Sequence, residues 1–221
     1  MIPVTVLVVA KAPVPGLAKT RLAATVGEQA AADIAAAALL DTLDAVAAAP
    51  VQARVVALTG NLDDASCSDE IRSRLTDFTV VAQRGDGFAE RLANAHEDAS
   101  RAANGLPVLQ IGMDTPQVTD ALLAECARTL VDSEALLGMA RDGGWWVLGV
   151  HDAGSAGCLR TVPMSQSDTG ELTLSALLST GLKVDLVLEL VDVDTVDDVD
   201  DVRRACSPGG RFARVTWKAG V

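Results

Sequence analysis

No C-x-x-C pair occurs in this sequence; its four cysteines, Cys67, Cys126, Cys158 and Cys206, lie far apart. Residues 1–10 also lack the basic flank of a secretory leader. The expectation is therefore a cytoplasmic protein whose thiols stay reduced, each buried as a small apolar residue. Histidine is scarce as well. His96 and His151 have no partner at ligand spacing and read as bystanders rather than zinc ligands. Long apolar runs are missing: the opening run stops at Lys11, and the Ala-rich stretch 29–49 is interrupted by Asp33, Asp41 and Asp44 at helical spacing. That stretch reads as an amphipathic surface helix, and no membrane span is expected. Basic residues are few, 18 Lys and Arg against 30 Asp and Glu, for a net charge of -12. Such a field repels nucleic acid and acidic membrane surfaces, so neither is an expected partner. There are no repeats and no linkers, and 221 residues can bury one sizeable core. The chain is read as a single α/β domain over 1–221, with 207–221 a loosely packed tail.

Against that acidic background the segment "AKAPVPGLAKTRL", residues 10–22, stands out. It follows the apolar run "MIPVTVLVVA" and places Lys11, Lys19 and Arg21 ahead of the first acid, Glu28. It is not a Walker A loop, which needs a second glycine and donor amides where this chain has Pro13 and Pro15. No G-x-G-x-x-G follows the first strand either. What remains is a stiff strand-end loop carrying three cations around Pro15 and Gly16. The end of a strand in an open α/β sheet is where ligands bind, and a stiff loop presents cations to a polyphosphate at low ordering cost. The competing reading is a solvated loop with scattered bases.

Apolar runs at 2–10, 54–58, 78–83 and 107–114 alternate with helical patterns at 28–48, 62–75, 86–104 and 119–131. This rhythm predicts a mainly parallel sheet covered on both faces. Around "RDGG" two strands, "EALLGMA" and "GWWVLGV", follow each other without a crossover helix. Asp168 and Glu171 stand at capping-box spacing before a helix over 168–180. "KVDLVLELVDV" is a last strand, and Thr195 caps a final short helix whose first turn holds Asp197 and Asp198.

Three further motifs carry chemistry. Asp114 in "IGMDTPQV" stands at the end of the fourth strand, either as a ligand for Mg²⁺ or Mn²⁺ or as an Asx turn or cap. In "ARDGGWWVLGV", Gly143 and Gly144 allow close backbone approach, and alternation sends one of Trp145 and Trp146 into the core and the other to a pocket. Asp142 is a candidate base for an acceptor, or a turn residue bonding its own backbone. In "DVDTVDDV", Asp192 and Asp194 share a face at period two, as metal ligands or as a solvated strand end.

These segments in this order, together with "GFAERLANAHEDA" and Gln83 upstream of it, resemble the nucleotide-diphospho-sugar transferase (GT-A) superfamily. The resemblance runs from residue 4 to about 202 and is to the small bacterial proteins that include the arsenosugar-biosynthesis glycosyltransferases. More distantly, "KTRL" and the last acidic motif are similar to 2-phospholactate and molybdenum-cofactor guanylyltransferases. The chain departs from the family at Met164, where an aromatic is usual, and at Trp145, where Tyr is usual.

The resemblance implies a Rossmann-like GT-A fold with a mixed sheet, and a nucleotide or nucleotide sugar bound with a divalent metal, Mg²⁺ or Mn²⁺. Lys11, Pro15, Gly16, Lys19 and Arg21 would meet the diphosphate, with Gln83 and Arg91 on the nucleotide; Arg91 can equally pair with Glu90. Asp114 and Asp194 would hold the metal, Gly143, Gly144, Trp145 and Trp146 would line the substrate pocket, and Asp142 would activate a small-molecule acceptor. The implied activity is glycosyl transfer from a nucleoside-diphosphate sugar. A nucleotidyltransferase releasing pyrophosphate from a nucleoside triphosphate, and a non-catalytic nucleotide-binding protein, are the alternatives.

Overall fold

The computed structural model describes residues 1–193 and 195–221. Seven strands form one mixed sheet: β1 (Ile2–Lys11), β2 (Val51–Thr59), β3 (Thr79–Ala82), β4 (Val108–Gly112), β5 (Ala135–Ala140), β6 (Trp145–Val150) and β7 (Val184–Leu190). Their order across the sheet is β3-β2-β1-β4-β6-β5-β7. β1 pairs in parallel with both β2 and β4, so the chain reverses its direction of winding between β1 and β4. This is the position at which open α/β sheets leave a crevice beyond the carboxyl ends of the strands. β6 runs antiparallel to both β4 and β5, while β7 is parallel to β5. It follows that β1, β2, β4, β5 and β7 all end on the same rim, and the loops leaving them share it.

Helices cover both faces: α1 (Thr20–Val26), α2 (Glu28–Ala48), α3 (Ser68–Leu75), α4 (Phe88–Ala102), α5 (Asp120–Asp132), α6 (Thr169–Ser179), α7 (Val196–Ala205) and α8 (Arg211–Ala219), with 3-10 turns at Leu62–Asp64 and Ala153–Thr161. β1 is apolar on both sides and buries Val6 and Val8 against α2 and α5 and Leu7 against α4, as a strand between two helical layers must. The expected Thr195 cap is present at the start of α7, and it takes the form of a capping box in which Thr195 and Asp198 cap each other's backbone. Asp168 makes no side-chain cap at α6. Thr169 instead ties together the turn that precedes the helix, accepting from the Gln166 N–H at 3.0 Å and donating to the Pro163 carbonyl.

Three expectations are corrected. α2 is not a surface helix: Ala31, Ile34, Ala35, Leu39 and Leu43 are all buried, because a second layer covers its outer side. That layer is α8, formed by the segment read as a loose tail. Phe212 of α8 is fully buried with Ile34 and Ala38, and the backbone N–H groups of Arg211 and Phe212 donate to Asp41 at 3.1 and 2.9 Å. The carboxylate on α2 thus caps α8, satisfying donors that the first turn of a helix leaves open. Third, the cysteines are not uniformly buried. Cys126 and Cys206 are, Cys158 is half-buried and Cys67 is exposed with a left-handed φ of 55°.

Candidate functional site

The rim loops bring four charged side chains together. Lys19, in a left-handed conformation at the start of α1, extends across the crevice to Asp114 with Nζ 2.8 Å from Oδ2, and also donates to the Val193 carbonyl. Its side chain is 13% exposed, so this ammonium is enclosed by its partners rather than waving in solvent. Val193 in turn donates its N–H to the Asp114 carbonyl, and the Gln117 amide donates to the Val191 carbonyl. The β4 and β7 loops are therefore stitched together on both sides of Asp192.

Asp192 is the most perturbed member. Burial, followed by repulsion from Asp114 and Asp142, pushes its carboxyl up to about 6, with Lys19 offsetting part of the rise. Carboxylates crowded this way have room for further positive charge. Mg²⁺ and Mn²⁺ are bound by one or two carboxylates together with substrate phosphates and water, and Asp114 with Asp192 fits that donor set. Among the described residues no group of three or more His, Cys, Asp and Glu is spaced to hold a metal ion. Asp194, the other expected ligand, lies outside the described residues.

The basic loop is built rigidly. Pro13 is buried and accepts from the Ser66 N–H at 3.0 Å, while the Ala18 N–H bonds the Val14 carbonyl. Lys11 leaves the end of β1 and turns its Nζ back to the Leu17 carbonyl at 2.8 Å, closing the loop on itself. Gly16 takes a φ of +76° beside the Glu28 carboxylate, a conformation that suits glycine, and Pro15 next to it is half-buried. Arg21 lies exposed in the first turn of α1.

The loop from β5 to β6 reaches the same rim with a different internal logic. Asp142 accepts the Gly144 N–H at 2.7 Å through Oδ1, so the turn reading holds, yet its charge still acts on Asp192. Gly143, at φ +91°, packs its backbone against the next segment: a Cβ there would run into the Ser167 carbonyl, and its own carbonyl accepts the Gly170 N–H at 2.7 Å. The close approach that Gly143 permits is thus made by the protein's own backbone. Trp146 is corrected outright. It is 2% exposed in the core, and its indole N–H donates to the Leu188 carbonyl at 2.8 Å. Trp145 is half-buried and pairs with Met139 of β5.

On the other side, Gln83 follows β3 and its amide lies over the ends of β1 and β2. Arg91 places its guanidinium 5.8 Å from the centre of the half-exposed Phe88 ring rather than on Glu90. Glu90 accepts instead from the Asp86 N–H. His96 is fully buried, and burial pushes its imidazole down to about 3, far from any catalytic use at neutral pH. The residue that sequence reasoning undervalued is Asp192. Its alternation with Asp194 was the available signal.

Residues 42–166 match a family described as uncharacterized proteins conserved in bacteria, DUF2064. The chain belongs to the DUF2064 family. No curated protein matches it. Among solved structures, a protein of Desulfovibrio desulfuricans G20, assigned by name to the nucleotide-diphospho-sugar transferases, superposes with a TM-score of 0.86 at 22% identity, over 100% of this chain and 96% of that one. Rv0371c of Mycobacterium tuberculosis H37Rv, in complex with manganese, gives 0.55 at 20% identity over 90% and 97%. A CMP:2-keto-3-deoxy-manno-octonic acid synthetase complexed with CTP gives 0.53 at 11% identity over 91% and 97%. The DUF2064 chain has the nucleotide-diphospho-sugar transferase fold, as its sequence resemblance implies.

Proposed function

We propose that this DUF2064 protein is a metal-dependent transferase that binds a nucleotide at the rim between β1 and β4, and that its reaction is glycosyl transfer from a nucleoside-diphosphate sugar. The observation that carries the reading is the convergence of Lys19, Asp114 and Asp192 at the carboxyl ends of β4 and β7, with burial and crowding holding Asp192 near 6. Supporting it are the fold's likeness to a protein named for nucleotide-diphospho-sugar transfer and a manganese complex among the similar structures.

In this reading Lys19 and Arg21 hold the diphosphate, and the rigid 11–18 loop keeps them in place without ordering cost on binding. Asp114 and Asp192 would hold the divalent ion, with Asp194 as a further ligand. When bound, such an ion supplies charge stabilisation for a leaving diphosphate. Lys19, paired with Asp114 at 2.8 Å, would exchange that carboxylate for phosphate oxygens of the bound nucleotide. Asp142 is fixed through Oδ1 and offers Oδ2 to the hydroxyl of a small-molecule acceptor, taking its proton as the new bond forms. Trp145 is the aromatic wall of the acceptor side.

The second reading is nucleotidyl transfer, favoured by the CTP-bound synthetase among the similar structures. The same cations and carboxylates suit attack on an α-phosphate. Product analysis separates the two. Incubation with nucleotide sugars, Mn²⁺ and an acceptor mixture is expected to release nucleoside diphosphate. Pyrophosphate release from a nucleoside triphosphate, dependent on a phosphorylated acceptor, would overturn glycosyl transfer in favour of the second reading.

A further inference from the structure

β7 is the last strand of the sheet, and among the described residues no strand pairs with its outer side. The two edges of the sheet are built differently. β3, at the other edge, is four residues long and offers little to pair with, whereas β7 runs for seven, Val184–Leu190, without a proline. It also carries apolar side chains in the open: Leu186 is 60% and Leu188 48% exposed. An open groove borders the strand on the α5 side, lined by Leu122 and Thr129 of α5 with Val187 and Leu188 of β7. An edge of this length with exposed leucines is a template for another strand.

The charges along the edge say which strand. In "KVDLVLEL", residues 183–190, they are Lys183, Asp185 and Glu189. Two copies related by a two-fold axis pair their edges antiparallel, and each possible centre sets a different list of opposing residues. Centred on Asp185, that residue opposes its own copy; centred on Val187, Asp185 opposes Glu189 at both ends. Both arrangements set like charges together, which destabilises a strand pair. Centred on Leu186, Lys183 opposes Glu189 at both ends, Val184 opposes Leu188, and Leu186 opposes its own copy. A centre on Leu188 brings no charge pair, and one on Val184 draws the turn before the strand into the pairing. β7 is regularly paired with β5 from Val184 through Val187 and the register shifts only beyond it, so the Leu186 centre lies in the regular stretch.

We infer that the protein forms a two-fold dimer in which β7 pairs antiparallel with β7 of a second copy, centred on Leu186, joining the two sheets into one. The rims that hold the nucleotide sites then point in opposite directions, and the inference does not depend on what those sites bind.

Sedimentation over a concentration series tests it, with Lys183→Glu, Glu189→Lys and the two combined. Both positions are exposed, so the exchanges leave the core untouched, and circular dichroism checks the fold of each variant. The wild type is expected to dimerise. Each single exchange turns both attractive pairs repulsive and should weaken dimerisation about tenfold, and the double variant should recover it. Leu186→Lys, which sets two ammonium groups on the axis, should leave only monomer. A wild type that stays monomeric throughout the series overturns the inference. So does a dimer indifferent to the single exchanges and to Leu186→Lys, or a folded double variant that pairs no better than the single ones.

Discussion

Asp41 and Asp44 on α2, and Asp114 and Asp192 at the strand ends, are two groups of carboxylates gathered in one protein, and they are balanced differently. Around the first pair the charges close. Arg211 reaches Asp44 at 2.5 Å, Asp41 at 3.2 Å and Glu70 at 2.8 Å, and Arg74 reaches Asp44 at 2.6 Å. Burial alone would lower the pKa of Arg211, but the hydrogen bonds it donates to Asp44 and Glu70 outweigh it and the guanidinium is held above its ordinary range. Around the second pair the charges do not close, and Asp192 carries the imbalance as a carboxyl raised to about 6. The first group fastens helices to each other. The second spends stability on a site whose missing charge a ligand can bring, a pattern common where function is housed.

Substitutions at the two groups should therefore have opposite consequences. The largest effect is expected for Asp41→Ala, which removes the cap of α8 and a partner of Arg211 at once. It should cost about 2–4 kcal/mol in urea unfolding while nucleotide affinity in the folded protein stays unchanged. At the other group, Lys19→Ala should weaken nucleotide binding by about 1.5–3 kcal/mol in calorimetry through loss of a charge-assisted contact. A fully retained affinity there would return the basic loop to an ordinary surface role.

A smaller effect follows from pH. With its folded pKa near 6 against an ordinary 3.8, Asp192 keeps its proton in the native state where the unfolded chain has released it. Its contribution is fully favourable below about pH 4 and is lost as pH rises through about 6. Discounted for partial exposure, the span is about 1–2 kcal/mol. Urea titrations at pH 5 and pH 8 should show Asp192→Asn gaining on the wild type at the higher pH. A constant difference between the two proteins would mean that Asp192 is not strained.

How much of this was legible in the sequence depends on how local the cause is. Strand ends, the Thr195 cap and the run of alternating elements follow from spacing along the chain, and they could be read there. So could Asp114 and the 10–22 loop, since each belongs to a strand terminus. What could not be read is covering by distant segments. The aspartates of α2 look like a solvated stripe until α8 lies on them, and nothing near residue 41 announces Arg211. Trp145 and Trp146 were separable only as alternates; the partner that decided between them, the Leu188 carbonyl, is a strand away. The sequence permits a close backbone approach at Gly143 but does not name its partner, Ser167, which lies beyond the following strand and 3-10 turn.

Nucleotide and metal meet at Asp114 in the proposed site. Thermal melting of the wild type with the preferred nucleotide should show a shift in Mn²⁺ that chelator removes, since a ligand at 100 times its Kd stabilises by ~2.7 kcal/mol. Asp114→Asn keeps the shape of the side chain and removes the charge, and its melting with nucleotide should be the same in Mn²⁺ and in chelator. A full Mn²⁺-dependent shift in Asp114→Asn would contradict the site drawn here.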